Sequence, residues 1–192
     1  PAKTATQQVE NLMQTSKATG GYCLVLGLKD GVLAEALTEK FTVIAIDSNV
    51  ARVKALRRSL HERGIYGSKI SVYVGDPLTY PLPPFIANLV VSETPRRFTT
   101  EADADSFQNI FHTLRPYGGI ACLPVPNVAR EPWKQTAAKI KTAQITEKGK
   151  WLLLARTGPL PEAADWSHAG GSAGNTGSSD DRYLRGPLGL LW

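Results

Sequence analysis

The stretch Tyr22-Cys-Leu-Val-Leu-Gly-Leu-Lys-Asp-Gly31 decides the fold, because an apolar run of strand length leads directly into a turn with two glycines. A run that is apolar without alternation indicates a strand covered on both faces, as in parallel sheets. The pattern repeats at residues 41–46, where Asp47-Ser-Asn49 is the turn and residues 50–63 have helical spacing up to Gly64. Two successive strand–turn–helix units predict an α/β domain with parallel strands.

Strands and helices continue to alternate until the last two strands. Further strands are predicted at residues 70–74, 86–91 and 120–123, and further helices at 7–17, 32–38, 102–114 and 131–139. Residues 143–146 and 151–155 are separated only by Glu147-Lys-Gly-Lys150, which predicts an antiparallel hairpin. The predicted fold class is therefore α/β, a doubly wound and mostly parallel seven-stranded sheet with a C-terminal antiparallel hairpin.

The bulk composition is that of a soluble globular domain, with 42% apolar and 20% charged residues. No stretch approaches the roughly 18 apolar residues of a membrane span. The net charge of +5 permits a polyanionic partner. The densest basic run, Arg52 to Arg63, has the spacing of a solvated helix face and no interleaved aromatic residues, so nucleic acid is not the expected partner. The two cysteines and three histidines predict neither a disulfide framework nor a metal site.

The candidate binding residues follow the predicted strands, at the sheet edge where open α/β folds bind ligands. The turn from Gly27 to Gly31 spaces two glycines so that the backbone can approach a ligand closely. Asp47 ends the second strand, where a carboxylate can accept hydrogen bonds from ribose hydroxyls or, alternatively, cap the next helix. Asp76 follows the third strand and precedes Pro77; it can accept from an exocyclic amine such as that of adenine, or form a turn.

These stretches resemble, in the right order, the successive motifs of class I S-adenosylmethionine-dependent methyltransferases: Leu24–Gly31, Val43–Asp47, Val74–Pro77, Ala87–Ser92 and Leu114–Ile120. The closing hairpin also fits that family. The resemblance implies S-adenosylmethionine as cofactor and S-adenosylhomocysteine as product, with the glycines near the methionine part, Asp47 on the ribose and Asp76 near the adenine. The cofactor-binding residues that it implies are Gly27, Leu28, Gly31, Asp47, Ser48, Asp76, Pro77 and Ser92.

Three positions depart from the family pattern. Val25 and Asn88 stand where the family commonly has acidic residues, and Lys29 replaces the middle glycine of the turn. Glu93, beside Ser92, can accept a proton, but a loop carboxylate is more often simply solvated. No catalytic residue follows from the sequence.

Two functions from different classes remain open. The first hypothesis is a methyltransferase domain that uses S-adenosylmethionine on an unknown acceptor, a small molecule or a protein. The other is a degenerate, non-catalytic methyltransferase-like domain for binding or scaffolding, which the departures in the turn favour. A nicotinamide-dependent oxidoreductase is a weaker third hypothesis, because no G-x-G-x-x-G is present and a closing hairpin is wrong for it.

The end of the chain differs in character from the rest. Residues 1–19 form a leading segment and 20–156 the nucleotide-binding domain, while 157–192 hold seven of the seventeen glycines and form an irregular tail or linker. Ala164–Gly171, Asn175–Gly177 and Gly186–Trp192 resemble the opening of a quinoprotein-type β-propeller. That resemblance implies a larger bacterial parent protein with a C-terminal propeller domain, and it leaves export of that parent open.

Overall fold

The computed structural model describes residues 2–94, 104–160, 162–164, 173–174 and 182. The chain forms two compact units, Pro1–Thr157 and Gly158–Trp192. The tail stretches that resemble a propeller lie almost entirely outside the described residues, so that interpretation stays a prediction.

Strands and helices alternate along the first unit. In chain order they are α1 (Ala2–Ser16), β1 (Gly21–Leu26), α2 (Val32–Ala36), β2 (Phe41–Asp47), α3 (Val50–Glu62), β3 (Ile70–Val74), β4 (Ala87–Val91), α4 (Ala104–Thr113), β5 (Gly119–Leu123), α5 (Asn127–Ala138), β6 (Ala143–Lys148) and β7 (Trp151–Arg156). A 3-10 turn, Leu37–Glu39, follows α2.

The seven strands form one sheet in the order β3-β2-β1-β4-β5-β7-β6. Strands β1 to β5 are parallel to one another, and β7 runs antiparallel to both β5 and β6. The predicted fold class is therefore confirmed. The strand order reverses between β1 and β4, so the carboxyl ends of these two strands flank the switch point at which open sheets bind ligands.

Both faces of the sheet are covered, which explains why its central strands are apolar without alternation. Cys23 and Val25 of β1 lie in a core layer with residues of α1, α2 and α3. Leu24 and Leu26 lie in a second layer with residues of α4 and α5. Residues 23–26 of β1 are thus buried alternately by one helical layer and the other.

Two helices begin earlier than their sequence patterns predict. The apolar stripe of α1 extends back to Ala5, which is buried together with Val9 and Leu12; the helix begins at Ala2 rather than at residue 7 and ends at Ser16 rather than at residue 17. Helix α5 begins at Asn127, and Pro132 therefore lies inside it rather than in its first turn. A proline there removes one backbone hydrogen bond, which the buried Trp133 on the same helix helps to offset.

The two cysteines are buried and unpaired. Burial raises the pKa of the Cys23 thiol far above its ordinary value and that of Cys122 to about 12. Because the thiolate is the reactive form, neither side chain is a nucleophile at neutral pH. We expect an aromatic disulfide reagent to label no thiol in the native protein and two per chain in denaturant. Rapid labelling of a native thiol would contradict this burial.

Candidate functional site

Asp47 lies at the carboxyl end of β2 and is almost completely buried, with 1% of its surface exposed. Its Oδ2 accepts a hydrogen bond from the Leu28 amide at 2.7 Å, and its Oδ1 accepts one from the Asn49 amide at 2.7 Å. Nη1 of Arg52 lies 3.0 and 3.1 Å from the two oxygens. The carboxylate is therefore bonded on both oxygens and neutralised by a guanidinium of its own chain.

These contacts tie β1, β2 and α3 together. Nη1 of Arg52 also donates to the Leu28 carbonyl at 2.7 Å, so one side chain of α3 holds both the turn and the aspartate. The N-cap of α3 is Asn49, whose side chain accepts from the Arg52 amide at 2.9 Å. Asp47 thus does not cap the helix directly; it anchors the turn that precedes the helix and the turn that follows β1.

Glu93 fills the other side of the Gly27–Gly31 turn. Its Oε2 accepts from the amides of Lys29, Asp30 and Gly31 at 2.7, 3.3 and 3.2 Å. Its Oε1 accepts from the Ala34 amide at 3.0 Å, and its own amide donates to the Gly27 carbonyl at 3.2 Å. A carboxylate that accepts from four backbone amides neutralises the electropositive concavity that such a turn creates.

The need for glycine in this turn is explained by the backbone conformation and by contacts within the protein. Gly27 and Gly31 have φ of 82° and 79°, a left-handed conformation that favours glycine. A Cβ at Gly31 would lie 2.8 Å from Cδ2 of Leu56 on α3. At Gly31 the close contact is therefore with α3, and the close approach to a ligand that the sequence predicts stays a prediction.

The remaining predicted site residues have different surroundings. Asp76 is exposed, and its Oδ1 accepts from the Leu78 amide at 2.8 Å, as in a turn. Pro77 is buried and Ser48 is exposed. Ser92 is buried at the end of β4, where its hydroxyl accepts from the Thr94 amide at 3.1 Å. Asp47 is therefore in contact with the glycine turn through Leu28, whereas the Asp76 carboxylate accepts a hydrogen bond from its own loop.

The other two departures from the family pattern are Val25 and Asn88. Val25 is fully buried in the layer under α1, α2 and α3. Asn88 lies at the amino end of β4, where its Oδ1 accepts from the Tyr22 amide at 3.1 Å and its side chain would collide with a Cβ at Gly21. Asn88 therefore contacts the amino end of β1, at the opposite end of the strand from the glycine turn.

A cavity of about 470 Å³ opens beside the glycine turn. Its walls are α1, the turn with the start of α2, the residues that follow β4 and β5, and the start of β7. Ser92 and Glu93 line it, while Asp47 and Asp76 do not. The leading helix thus forms one wall of this cavity, a position that its sequence did not indicate.

Two further properties concern the residues that the structure describes. No cluster of three or more His, Cys, Asp or Glu side chains suited to a metal ion occurs among them. None of their helices combines the length and the apolarity needed to cross a membrane.

Neither a protein-family model nor a curated protein sequence matches this chain. Solved structures do. A candidate S-adenosylmethionine-dependent methyltransferase of Methanococcus maripaludis has a TM-score of 0.65 at 17% identity, over 82% of this chain and 86% of the other. An S-adenosylmethionine-dependent methyltransferase of Aquifex aeolicus has a TM-score of 0.60 at 13% identity, over 81% and 92%. The [4+2]-cyclase SpnF has a TM-score of 0.59 at 14% identity, over 74% and 59%.

These neighbours identify the fold. The chain has the seven-stranded α/β sheet of S-adenosylmethionine-dependent methyltransferases, with its antiparallel C-terminal strands. At these identities the likeness shows the fold alone, and the presence of a cyclase among the neighbours illustrates that one such fold supports different chemistry.

Proposed function

We propose that this chain is a non-catalytic, methyltransferase-like binding domain, in which the chain's own side chains take the place of the family's cofactor. The observation that carries the proposal is the Glu93 carboxylate, which accepts hydrogen bonds from four backbone amides of the glycine turn and α2. A ligand bound at the turn would need those same amides as hydrogen-bond donors.

S-adenosylmethionine does not fit these residues as they are arranged. Its methionine part carries a carboxylate, and the turn amides already bind the carboxylate of Glu93. Its ribose offers hydroxyl donors, and both oxygens of Asp47 are already bonded to backbone amides and to Arg52. Placing a second carboxylate beside Glu93 would add like-charge repulsion to the lost hydrogen bonds.

A calorimetric titration of the whole chain with S-adenosylmethionine and S-adenosylhomocysteine tests the proposal. We expect no binding tighter than about millimolar for either ligand, which corresponds to about 4 kcal/mol. Tighter binding that is lost in Asp47→Asn and retained in Asp105→Asn, an exposed aspartate of α4, would contradict the proposal. Circular dichroism of each variant confirms that it is folded.

An S-adenosylmethionine-dependent methyltransferase with an unknown acceptor is the second candidate. It is favoured by the cavity beside the glycine turn, which is large enough for a small molecule, and by Arg52, whose side chain is 36% exposed and has room to leave Asp47. For this candidate both Arg52 and Glu93 must move when the cofactor binds. The same titration decides between the two.

Glu93→Ala provides a prediction that does not depend on any ligand. Removing the carboxylate leaves the part-buried amides of Gly31 and Ala34 without their acceptor, so we expect a loss of about 1–3 kcal/mol in the free energy of unfolding. Hydrogen exchange should accelerate at residues 29, 30, 31 and 34 above all. Glu39→Ala, an exposed glutamate in the 3-10 turn, is the control. Unchanged exchange at the turn would show that Glu93 does not hold it.

The sequence of the tail supports one further part of the proposal. Its resemblance to the start of a quinoprotein-type propeller suggests a scaffold role beside such a domain. Sequencing the encoding gene beyond the codon for Trp192 tests this idea. Propeller repeats in the same reading frame would support it, and a stop codon or an unrelated domain would overturn it.

A further inference from the structure

We propose that the outer edge of β6 binds an acidic peptide segment of a partner protein, which adds to the sheet as a further strand. This inference goes beyond the proposed function, because it concerns the last strand of the sheet and not the glycine turn. The observations that carry it are the free backbone groups of β6, the contrast with the opposite edge of the sheet and the charge of the surrounding segment.

The backbone of β6 has free hydrogen-bonding groups on its outer side. This strand ends the sheet, and none of the described residues forms a strand beyond it. The Thr142 carbonyl accepts from the Thr157 amide at 2.8 Å, and the pairs of an antiparallel ladder alternate between bonded and non-bonded. The even-numbered residues of β6 therefore bond to β7, and the backbone groups of Ile145 and Glu147 point outward. Within the described part of the chain no backbone group outside the hairpin bonds to them.

The opposite edge of the sheet, β3, is closed by the chain itself. The Ile70 carbonyl accepts from the Gly67 amide at 2.8 Å, and the Ile70 amide donates to the Ile65 carbonyl at 3.3 Å. The Val72 carbonyl accepts from Nε of Arg57 at 2.8 Å. Free backbone groups on an edge strand are a template for pairing with another chain, and proteins commonly cover them. Of the two edges, β6 is therefore the one at which a strand can be added.

The segment around β6 carries most of the net positive charge of the chain. Residues 130–150 contain six Lys and Arg and two Glu, which accounts for four of the five net charges. Both glutamates have partners: Glu147 is paired with Arg130 at 2.6 Å and with Lys134, and Glu131 lies 3.9 Å from Lys134. Four exposed lysines of the segment make no salt bridge with any described residue: Lys139, Lys141, Lys148 and Lys150.

The free positive charge lies at both ends of β6. Lys150 lines the cavity that Asp30 and Glu93 also line, so its charge is balanced there. Lys141 precedes β6 and Lys148 ends it, and the segment has no unpaired acid beside them. At roughly 3.3 Å per residue, an extended segment of about eight residues reaches both lysines. Such a segment with acidic side chains would gain main-chain hydrogen bonds and favourable charge together.

The same features disfavour two other partners. A second copy of this chain, paired edge to edge, would bring identical lysines together, and that repulsion protects the edge from self-association. A nucleic acid would meet the same charge but has no peptide backbone to continue the ladder at Ile145 and Glu147. An acidic peptide is the partner that uses both the charge and the backbone groups.

Titration of the whole chain with an acetylated and amidated octapeptide of alternating glutamate and threonine tests the inference. We expect a Kd of about 0.1 mM or tighter. The same peptide with N-methyl groups on its two central amides keeps the charge but is blocked on both edges, so it should bind at least about fivefold more weakly. The peptide with lysine in place of glutamate should not bind.

Variants of β6 separate the backbone from the charge. Ile145→Pro removes an outward N–H and leaves the ladder to β7 intact, so we expect at least about fivefold weaker binding, whereas Ile145→Val should bind like wild type. Lys141→Gln and Lys148→Gln should each weaken binding by about two- to fivefold, as for exposed ion pairs. Lys54→Gln, an exposed lysine on α3, is the control and should have no effect.

Three results would overturn the inference: no binding of the acidic peptide at about 2 mM, equal binding of its N-methylated form, or equal binding of an eight-nucleotide oligothymidylate. The last two would show that charge alone acts. Circular dichroism establishes whether Ile145→Pro is folded, and if it is not, the N-methylated peptide decides the question on the wild-type chain.

Discussion

Asp47→Ala is expected to lower the free energy of unfolding by about 3 kcal/mol, although the residue lies at a sheet edge rather than in the apolar core. The substitution removes the acceptor of the Leu28 amide, which is inaccessible to water, and of the Asn49 amide. It also leaves the Arg52 guanidinium beside an apolar methyl group. Because Arg52 is 36% exposed, water solvates its charge in part, which keeps the loss below that of a fully buried ion pair.

Urea unfolding followed by circular dichroism measures this loss. Asp47→Asn keeps the volume and one acceptor oxygen but turns an amide NH₂ toward backbone donors, so it should lie between wild type and Asp47→Ala. Asp105→Ala on α4 removes an exposed carboxylate and should change stability by less than about 0.5 kcal/mol. If Asp47→Ala is no worse than this control, the interpretation of Asp47 as the anchor of the edge is wrong.

Trp133→Ala should destabilise the chain by about 3–5 kcal/mol, the range for removing a large buried aromatic side chain. Trp133 projects from α5 with 1% of its surface exposed, and its ring meets that of Phe107 on α4 edge-on, with centroids 5.5 Å apart. This contact links the two helices that cover the second face of the sheet, in the same core layer as Leu24 and Leu26. Alanine would leave a cavity that rigid neighbours fill only partly.

The urea midpoint of Trp133→Ala should fall with little change in the dependence on denaturant. Val128→Ala is the matched control, because Val128 lies on the same helix with 80% of its surface exposed. A drop in the midpoint of similar size for both variants would contradict this interpretation, because Val128 is exposed and alanine is the better helix former.

The strands could be predicted because the signal for each is local. The apolar run at Tyr22–Leu26 and the short link at Gly149 between the last two strands are read from neighbouring residues. The first residue of α5 could not be found in this way, because Pro132 suggests a helix start and the first residues of the helix, Asn127 and Val128, are exposed and leave no pattern of burial. Apolar periodicity likewise misses the first turn of α1, where Ala5 is the buried residue.

The positions of the candidate site residues could be predicted from the sequence, but the hydrogen-bond partners of their side chains could not. Asp47 and the glycine turn lie where the strand ends predicted them. In sequence Arg52 belongs to a run with the pattern of a solvated helix face, yet its guanidinium turns back to Asp47. Glu93 is 59 to 64 residues from the amides that it binds, and no local pattern connects them. Such long-range pairings depend on how β4 is placed beside β1.

The carboxylates of Glu93 and Asp47 affect how such a domain can evolve. Glu93 and Asp47 are held by different groups, one by the amides of the turn and the other by Arg52 and two backbone amides. If the proposed function is correct, a single mutation can release either the turn amides from Glu93 or Asp47 from Arg52, but not both. Such a mutation lowers stability and does not increase the affinity for the cofactor. Reversion to a cofactor-dependent ancestor would then need at least two changes together. Selection acting one substitution at a time would oppose that path.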